Sequence, residues 1–267
     1  MRLLKAGWRV RGLCRNIGNE QASALRTAGA ELVSADLDKP ASVNAAIAGS
    51  DAVVSIIASL QNRFNIGQAT QGIYVAEAAA LAGVKHFVYS SVLAPQSEVP
   101  SHGSTIAIIE RIRELGLPAT ILRLCFFMEN LLSHFPLKVE NGAVIVALPL
   151  PATTRLEMVA VDDIAGATEK VLSAPGEFIG RELDIVSDEI TVQEMMDTIG
   201  KVTGKPVVPV HIPLEGLARD WPQGVPLMKM LAEGGRNGDR KVLKQLIGTP
   251  TDFATWVKLN LVPRLAD

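Results

Sequence analysis

Cysteine and aromatic residues are scarce in this chain, and no apolar run is long enough to cross a bilayer as one helix. Among 267 residues there are two cysteines, Cys14 and Cys125, and aromatics account for 4%. Two thiols cannot form a disulfide framework, and both lie inside apolar runs, so buried free thiols and no metal site are expected. A bilayer span takes about 20 consecutive apolar residues, and none is present. An excess of positive charge is also missing: 26 Lys and Arg against 28 Asp and Glu give a net charge of −2. That excludes the basic footprint of a protein that binds nucleic acid or an anionic membrane. The N-terminus carries arginines at Arg2, Arg9 and Arg11 with no apolar core between them, unlike a secretory signal. A cytoplasmic protein in a reducing compartment is the expectation.

Apolar residues are abundant, at 48%, which suffices for a sizeable core in one large domain or a domain plus a smaller lobe. The organising stretch is Gly83 to Val92. A helix tail ends at Gly83, and His86-Phe87-Val88-Tyr89 then reads as a buried strand stopped by Ser90 and Ser91 at its carboxyl end. Around it the same unit repeats. Strands are expected at Trp8–Cys14, Leu32–Ala35, Asp51–Ile57 and Ala119–Leu124. Helices are expected at Glu20–Ala28, Pro40–Ala48, along the Ile66-Ala69-Ile73-Ala76-Ala80 stripe, and at Ser104–Leu115. Alternation of this kind is the pattern of an α/β fold with a doubly wound, Rossmann-like parallel sheet.

The second half is less regular. It predicts strands at Ala143–Leu148, Leu156–Val161, Leu183–Val186 and Val207–Ile212. A helix capped by Asp162 or Asp163 should run to Leu172, and Thr191 and Glu194 form a capping box for another. A last helix begins around Thr249 to Asp252. The division expected is a Rossmann-like domain over 1–136 and a smaller α+β lobe over 137–267, with parts of 162–187 returning to the first domain. The start is odd: Leu3 to Gly7 reads as the last turn of a helix with glycine after its end, and that helix has no beginning.

Several segments together resemble the NmrA-like family, an atypical branch of the extended short-chain dehydrogenase/reductases. They are Arg9 to Asn16 (RVRGLCRN), Gly29 to Val43 (GAELVSADLDKPASV), AGVKHFVYSSV around His86, Leu117 to Leu132 (LPATILRLCFFMENLL), Val159 to Ala165 (VAVDDIA) and the terminal PTDFATWVKLN. The resemblance runs almost end to end. It implies a protein that binds NADP(H) in preference to NAD(H). It also implies a first strand and a glycine-rich pyrophosphate loop that this sequence does not contain, so weakened cofactor binding is expected. By the strand order 3-2-1-4-5-6 the absent strand is central, and without it two half-sheets would stand about two strand spacings apart, roughly 10 Å. Either the flanking strands close up or the sequence is incomplete at its N-terminus; the intact downstream pattern favours incompleteness.

The resemblance also places candidate residues. Arg15, with Asn16, matches the position that meets the NADP 2′-phosphate, where an NAD enzyme carries an acid; the plain alternative is a solvated arginine. Asp36 and Leu37 match positions beside the adenine. Ile57, Ala58 and Ser59 match the turn beneath the cofactor, and Ser90 the nicotinamide side. Phe127 and Asn130 belong to a segment that walls the nicotinamide. The Tyr-x-x-x-Lys pair of ordinary short-chain reductases lowers a tyrosine pKa and holds a ribose. Here the matching segment is His102-Gly103-Ser104-Thr105-Ile106, with isoleucine in place of lysine and no lysine between Lys85 and Lys138. His102 remains as a lone catalytic candidate, and Tyr89 reads as core. Three functions stay open: an NADPH-dependent oxidoreductase of a quinone-like or other electrophilic acceptor, an NADP-sensing regulator that binds a protein partner, or an inactive truncated copy.

Overall fold

The computed structural model describes residues 1–57, 66–93, 100–234 and 237–265. The chain opens with α1 (Arg2–Lys5), β1 (Arg11–Cys14), α2 (Glu20–Thr27), β2 (Glu31–Ser34), α3 (Pro40–Ile47) and β3 (Ala52–Ile56). Then come α4 (Ile66–Leu81), β4 (His86–Val92), α5 (Pro100–Glu114) and β5 (Ala119–Leu124). Local chemistry explains the boundaries. Asn19 caps α2 by accepting from the Ala22 N–H, and Pro40 opens α3. Gly7 and Gly83 take positive φ after helix ends, where a side chain would be strained.

The second half runs β6 (Phe126–Phe127), a 3₁₀ turn (Met128–Leu132), β7 (Lys138–Glu140), β8 (Ala143–Leu148), β9 (Arg155–Val159), α6 (Val161–Ser173), α7 (Pro175–Phe178) and β10 (Glu182–Ile185). It continues with β11 (Asp188–Thr191), α8 (Val192–Thr203), β12 (Val207–His211), α9 (Leu214–Asp220), α10 (Val225–Ala232), α11 (Arg240–Ile247) and α12 (Phe253–Trp256). The Thr191–Glu194 capping box forms as the sequence reads.

The strands form a two-stranded sheet β1-β2, a four-stranded sheet in the order β10-β5-β4-β3, and two three-stranded sheets, β11-β9-β6 and β12-β8-β7. β1 pairs with β2 in parallel, as β3 does with β4. The architecture is therefore α/β with a Rossmann-like parallel sheet, and β10 stands at the edge of that sheet next to β5. Among the described strands, β1 and β3 do not pair: the flanking strands have not closed up.

The chain separates into two compact units. One comprises Met1–Ser91, Gly103–Leu122 and Ala165–Glu182; the other comprises Val92–His102, Arg123–Ile164 and Leu183–Asp267. The first is built around Val43, Ile47, Ala76, Ala79, Phe87, Tyr89 and Ile108. There α4 and α5 approach closely because residue 72 is glycine: a Cβ at Gly72 would collide with the fully buried Ile108. The second unit is built around Met128, Leu131, Val144, Leu156, Met158, Met195, Phe253 and Trp256.

Four local expectations are corrected. β4 does not stop at Ser90 but runs on to Val92, because the ladder continues and serine backbone pairs as well as any other. β1 spans only Arg11–Cys14, so the Trp8-Arg9-Val10 alternation precedes the paired strand. α6 begins at Val161, which puts Asp162 and Asp163 inside its first turn. The Asp163 carboxylate instead accepts from the Ser187 hydroxyl at 2.6 Å, the Thr251 N–H at 2.7 Å and the Thr251 hydroxyl at 2.9 Å. Of the two thiols, Cys125 is buried but Cys14 is partly exposed.

Candidate cofactor cleft

Within the first unit an open cleft of about 2060 Å³ is lined by both β1 and β3, along their whole lengths. Its walls take in the carboxyl ends of β1, β2 and β3, where the predicted residues Arg15, Asn16, Asp36, Leu37 and Ile57 lie. In open α/β sheets ligands bind at such strand ends, where the chain turns away into helices. The parallel order thus brings together five residues spread over some forty positions of sequence.

Their local chemistry differs. Arg15 is exposed and, among the described residues, has no ion-pair partner. Asn16 is committed to a turn: its side-chain oxygen accepts from the Gly18 N–H at 2.9 Å. Asp36 likewise accepts from the Asp38 N–H at 3.2 Å, and Lys39 comes within 3.8 Å of it. Leu37 and Ile57 pack partly against the core of this unit. The Ile57 carbonyl accepts from the Gln68 amide at 3.2 Å, and Gln71 donates to Asp38 at 2.8 Å. Gln68, Gln71 and Cys14 line the same cleft and escaped the sequence reading. Gln68 and Gln71 sit in an ordinary helical stripe with no motif, and the half-exposure of Cys14 depends on the open edge of β1.

Other predicted residues fall elsewhere. Ala58 and Ser59 lie outside the described residues. Ser90 is half-buried within β4 rather than at its end. Phe127 and Asn130 belong to the second unit, at the junction of β6 and the 3₁₀ turn. The Asn130 carbonyl accepts from the Ser133 and Phe135 N–H groups, so the backbone there is held firmly. Beside it, the Glu129 carboxylate accepts from the Trp256 indole at 3.0 Å and from the Val161 N–H, at the start of α6, at 3.2 Å. His102 is in α5, not in a loop, because the helix starts at Pro100; its side chain lies outside the described residues.

Two titratable groups in β4 are structural. Tyr89 is 2% exposed, and burial pushes its hydroxyl up to about 12 despite a hydrogen bond with Thr105. His86 is 3% exposed with Nε2 at 2.8 Å from the Thr120 hydroxyl, and burial holds its imidazole below the ordinary 6.5. Thr120 spends its proton on the Phe178 carbonyl at 2.8 Å, so Nε2 must be the donor to Thr120. Nδ1 is buried without a partner among the described residues. The ring is thus neutral, and the geometry selects one tautomer.

The family model for the NmrA-like family matches residues 1–242. Quinone oxidoreductase 2 of Escherichia coli is 29% identical over 247 residues, which cover 86% of this chain and 82% of that protein. The crystal structure of the NADPH-dependent quinone oxidoreductase of Escherichia coli with NADPH superposes with a TM-score of 0.77 at 25% identity, covering 99% of this chain and 94% of the other. A Citrobacter triphenylmethane reductase in complex with NADP(H) shares the fold, with a TM-score of 0.77 at 23% identity over 96% of this chain and 93% of its own. With a family match over nine-tenths of its length and the split Rossmann-like sheet on which the cleft is built, the chain belongs to the NmrA-like family of NAD(P)-binding, Rossmann-type proteins.

Proposed function

We propose that the protein is an NADPH-dependent oxidoreductase that reduces a quinone-like or other electrophilic acceptor. The observation that carries the cofactor choice is Arg15, an exposed guanidinium without an ion-pair partner among the described residues, at the carboxyl end of β1 on the wall of the cleft. A planar cation with five donors suits a phosphate monoester, and position 15 carries it where an NAD enzyme carries an acid. Asn16, Asp36, Leu37 and Ile57 would then shape the adenosine end, with Asp36 and Asn16 fixed by their own turns. Ser90, Phe127 and Asn130 are assigned to the nicotinamide side on family resemblance.

When bound, NADPH supplies the hydride. What the chain contributes is position. Ile106 can neither hold a ribose hydroxyl nor bias a proton donor, and Tyr89 is buried with its proton held. An acceptor that takes hydride into a conjugated system needs little help from a protein acid, so a quinone fits this chain better than a simple ketone. The related quinone oxidoreductase supports the same acceptor class. The second reading, a non-catalytic NADP sensor with a protein partner, draws on the same Ile106.

The deciding experiment follows NADPH oxidation at 340 nm with 1,4-benzoquinone, alongside an NADPH thermal-shift titration. Turnover with a thermal shift supports the enzyme, and a shift without turnover supports the sensor. The absence of both removes the cofactor reading.

A further inference from the structure

We propose that the segment Pro175 to Arg181 is an acid-operated flap, released from the amino end of β5 when the buried His86 ring is protonated. The inference goes beyond the cofactor reading: His86, Thr120 and Phe178, which make up the device, are not among the residues that line the cleft. All three belong to the first unit.

The segment is lightly held. Every residue from Pro175 to Arg181 is exposed except Phe178, which is 5% exposed and plugs the segment into the core. The Lys170 ammonium lies 6.0 Å and the Arg181 guanidinium 5.7 Å from the centre of its ring, a cation–π attraction from the rim. The ties to the sheet are hydrogen bonds at the start of β5. The Thr120 hydroxyl donates to the Phe178 carbonyl at 2.8 Å, the Gly180 N–H to the Ala119 carbonyl at 2.7 Å, and the Ile121 N–H to the Arg181 carbonyl at 3.0 Å. A four-residue helix, α7, with one buried side chain opens locally at little cost.

His86 stands at the other end of this relay, where it cannot carry a charge. Its Nε2–H is spent on Thr120 at 2.8 Å, and its Nδ1 is buried without a partner among the described residues. A proton added at Nδ1 would be a buried donor with no acceptor on a charge with no counter-ion, an arrangement of high cost. The charged groups on the elements around it do not relieve that cost. Lys85, before β4, pairs at 2.7 Å with Asp51, before β3, whose Ala52 stands opposite His86. Arg113 of α5 pairs with Glu182 of β10 at 2.6 Å, and Arg2 of α1 with Glu169 of α6 at 3.9 Å. Lys170 and Arg181 are cations themselves, and Glu177 is exposed on the flap. Among the described residues no carboxylate forms an ion pair with the ring, and burial holds its imidazole below the ordinary 6.5. Water is the partner left to a charged ring, and the flap is the least firmly held element bonded to the relay. With the flap open the imidazole returns toward its ordinary value, so the open form binds the proton more readily and acid shifts the flap toward opening.

The test measures amide protection factors by NMR-detected hydrogen exchange between pH 7.5 and 5, and follows His86 protonation in the same samples through its Cε1–H resonance. Protection at Ile121 and Gly180 is expected to fall about tenfold or more across this range, along the His86 protonation curve. Met195 to Ile199 in α8, in the other unit, should keep theirs. His86→Gln retains an amide that can donate to Thr120 but has nothing to titrate, so its Ile121 and Gly180 protection should not change with pH. Constant protection in the wild type, a fall that does not track His86 protonation, or an equal fall in His86→Gln would each overturn the proposal. So would a fall shared by α8, which would mark acid unfolding of the whole chain. If His86→Gln does not fold, the coincidence of the two wild-type curves decides by itself. No cofactor is present in any sample, so a failure of the NADPH reading leaves the result untouched.

Discussion

Arg15 and His86 show how differently two basic side chains can be used. Arg15 stands exposed at a strand end with no ion-pair partner among the described residues, available to a ligand. Arg15→Glu should weaken NADPH binding at least tenfold, since each lost charge-assisted hydrogen bond to phosphate is worth about 1.5–3 kcal/mol. NADH binding should be little changed, and fluorescence titration of both nucleotides reads the ratio. Equal loss for both would remove the 2′-phosphate assignment. His86 is buried and neutral, its Nε2–H spent on Thr120 and its Nδ1 without a donor among the described residues. Its folded-state pKa lies below 6.5, so the unfolded chain binds the proton more readily. Stability contributed by the neutral ring is therefore complete above pH 6.5 and is lost as pH falls below it, at up to about 1.4 kcal/mol per pH unit until the folded pKa is reached. Urea melts of the wild type and His86→Gln between pH 7.5 and 5 test this. Parallel stability curves for the two proteins would show that His86 does not carry the acid sensitivity.

At the scale of elements, the close approach of α4 and α5 decides a substitution whose sign is not obvious. Gly72→Ala would gain up to about 1 kcal/mol of helix propensity. The added Cβ, however, meets the side chain of Ile108, which is fully buried and has nowhere to move. Overpacking of this kind costs about 1–3 kcal/mol, so against the propensity gain the variant should be net destabilised by up to about 2 kcal/mol in chemical denaturation. A variant as stable as the wild type would mean that the helices separate freely. The same packing shows why part of the fold was hidden. The helical stripe of α4 is plain in Ile66, Ala69, Ile73 and Ala80, but nothing in that pattern says that Gly72 is the contact point. The aspartates of VAVDDIA read as a helix cap from local chemistry alone; a hub that accepts from Ser187 and Thr251 needs residues far along the chain.

At the scale of the whole molecule, the sheets differ in how well they are covered. β4 is buried along most of its length, whereas no residue of β1 or β2 falls in the buried class. A two-stranded sheet is marginal by itself, and local opening follows few buried contacts and exposed backbone bonds. In hydrogen exchange, amides of Arg11 to Cys14 and Glu31 to Ser34 should exchange at least a hundredfold faster than those of Phe87 to Tyr89. Comparable protection would show that the split sheet opens as one cooperative unit.

Much of this architecture is determined by the sequence by itself. Alternating apolar runs and helical stripes specify the order of strands and helices, because side-chain periodicity and end chemistry are local. The capping box at Thr191, the proline at the start of α3 and the exact span of β5 follow from the same rules. The resemblance to a family came from motifs that are contiguous in sequence. Only the tertiary structure decided what happens between those pieces: that β1 and β3 stay apart, that Arg15, Asp36 and Ile57 line one cleft, and that Gln68, Gln71 and Cys14 join them. Those outcomes depend on which strand edges find a partner and on what each helix face covers, and such long-range choices leave no periodic trace along the chain.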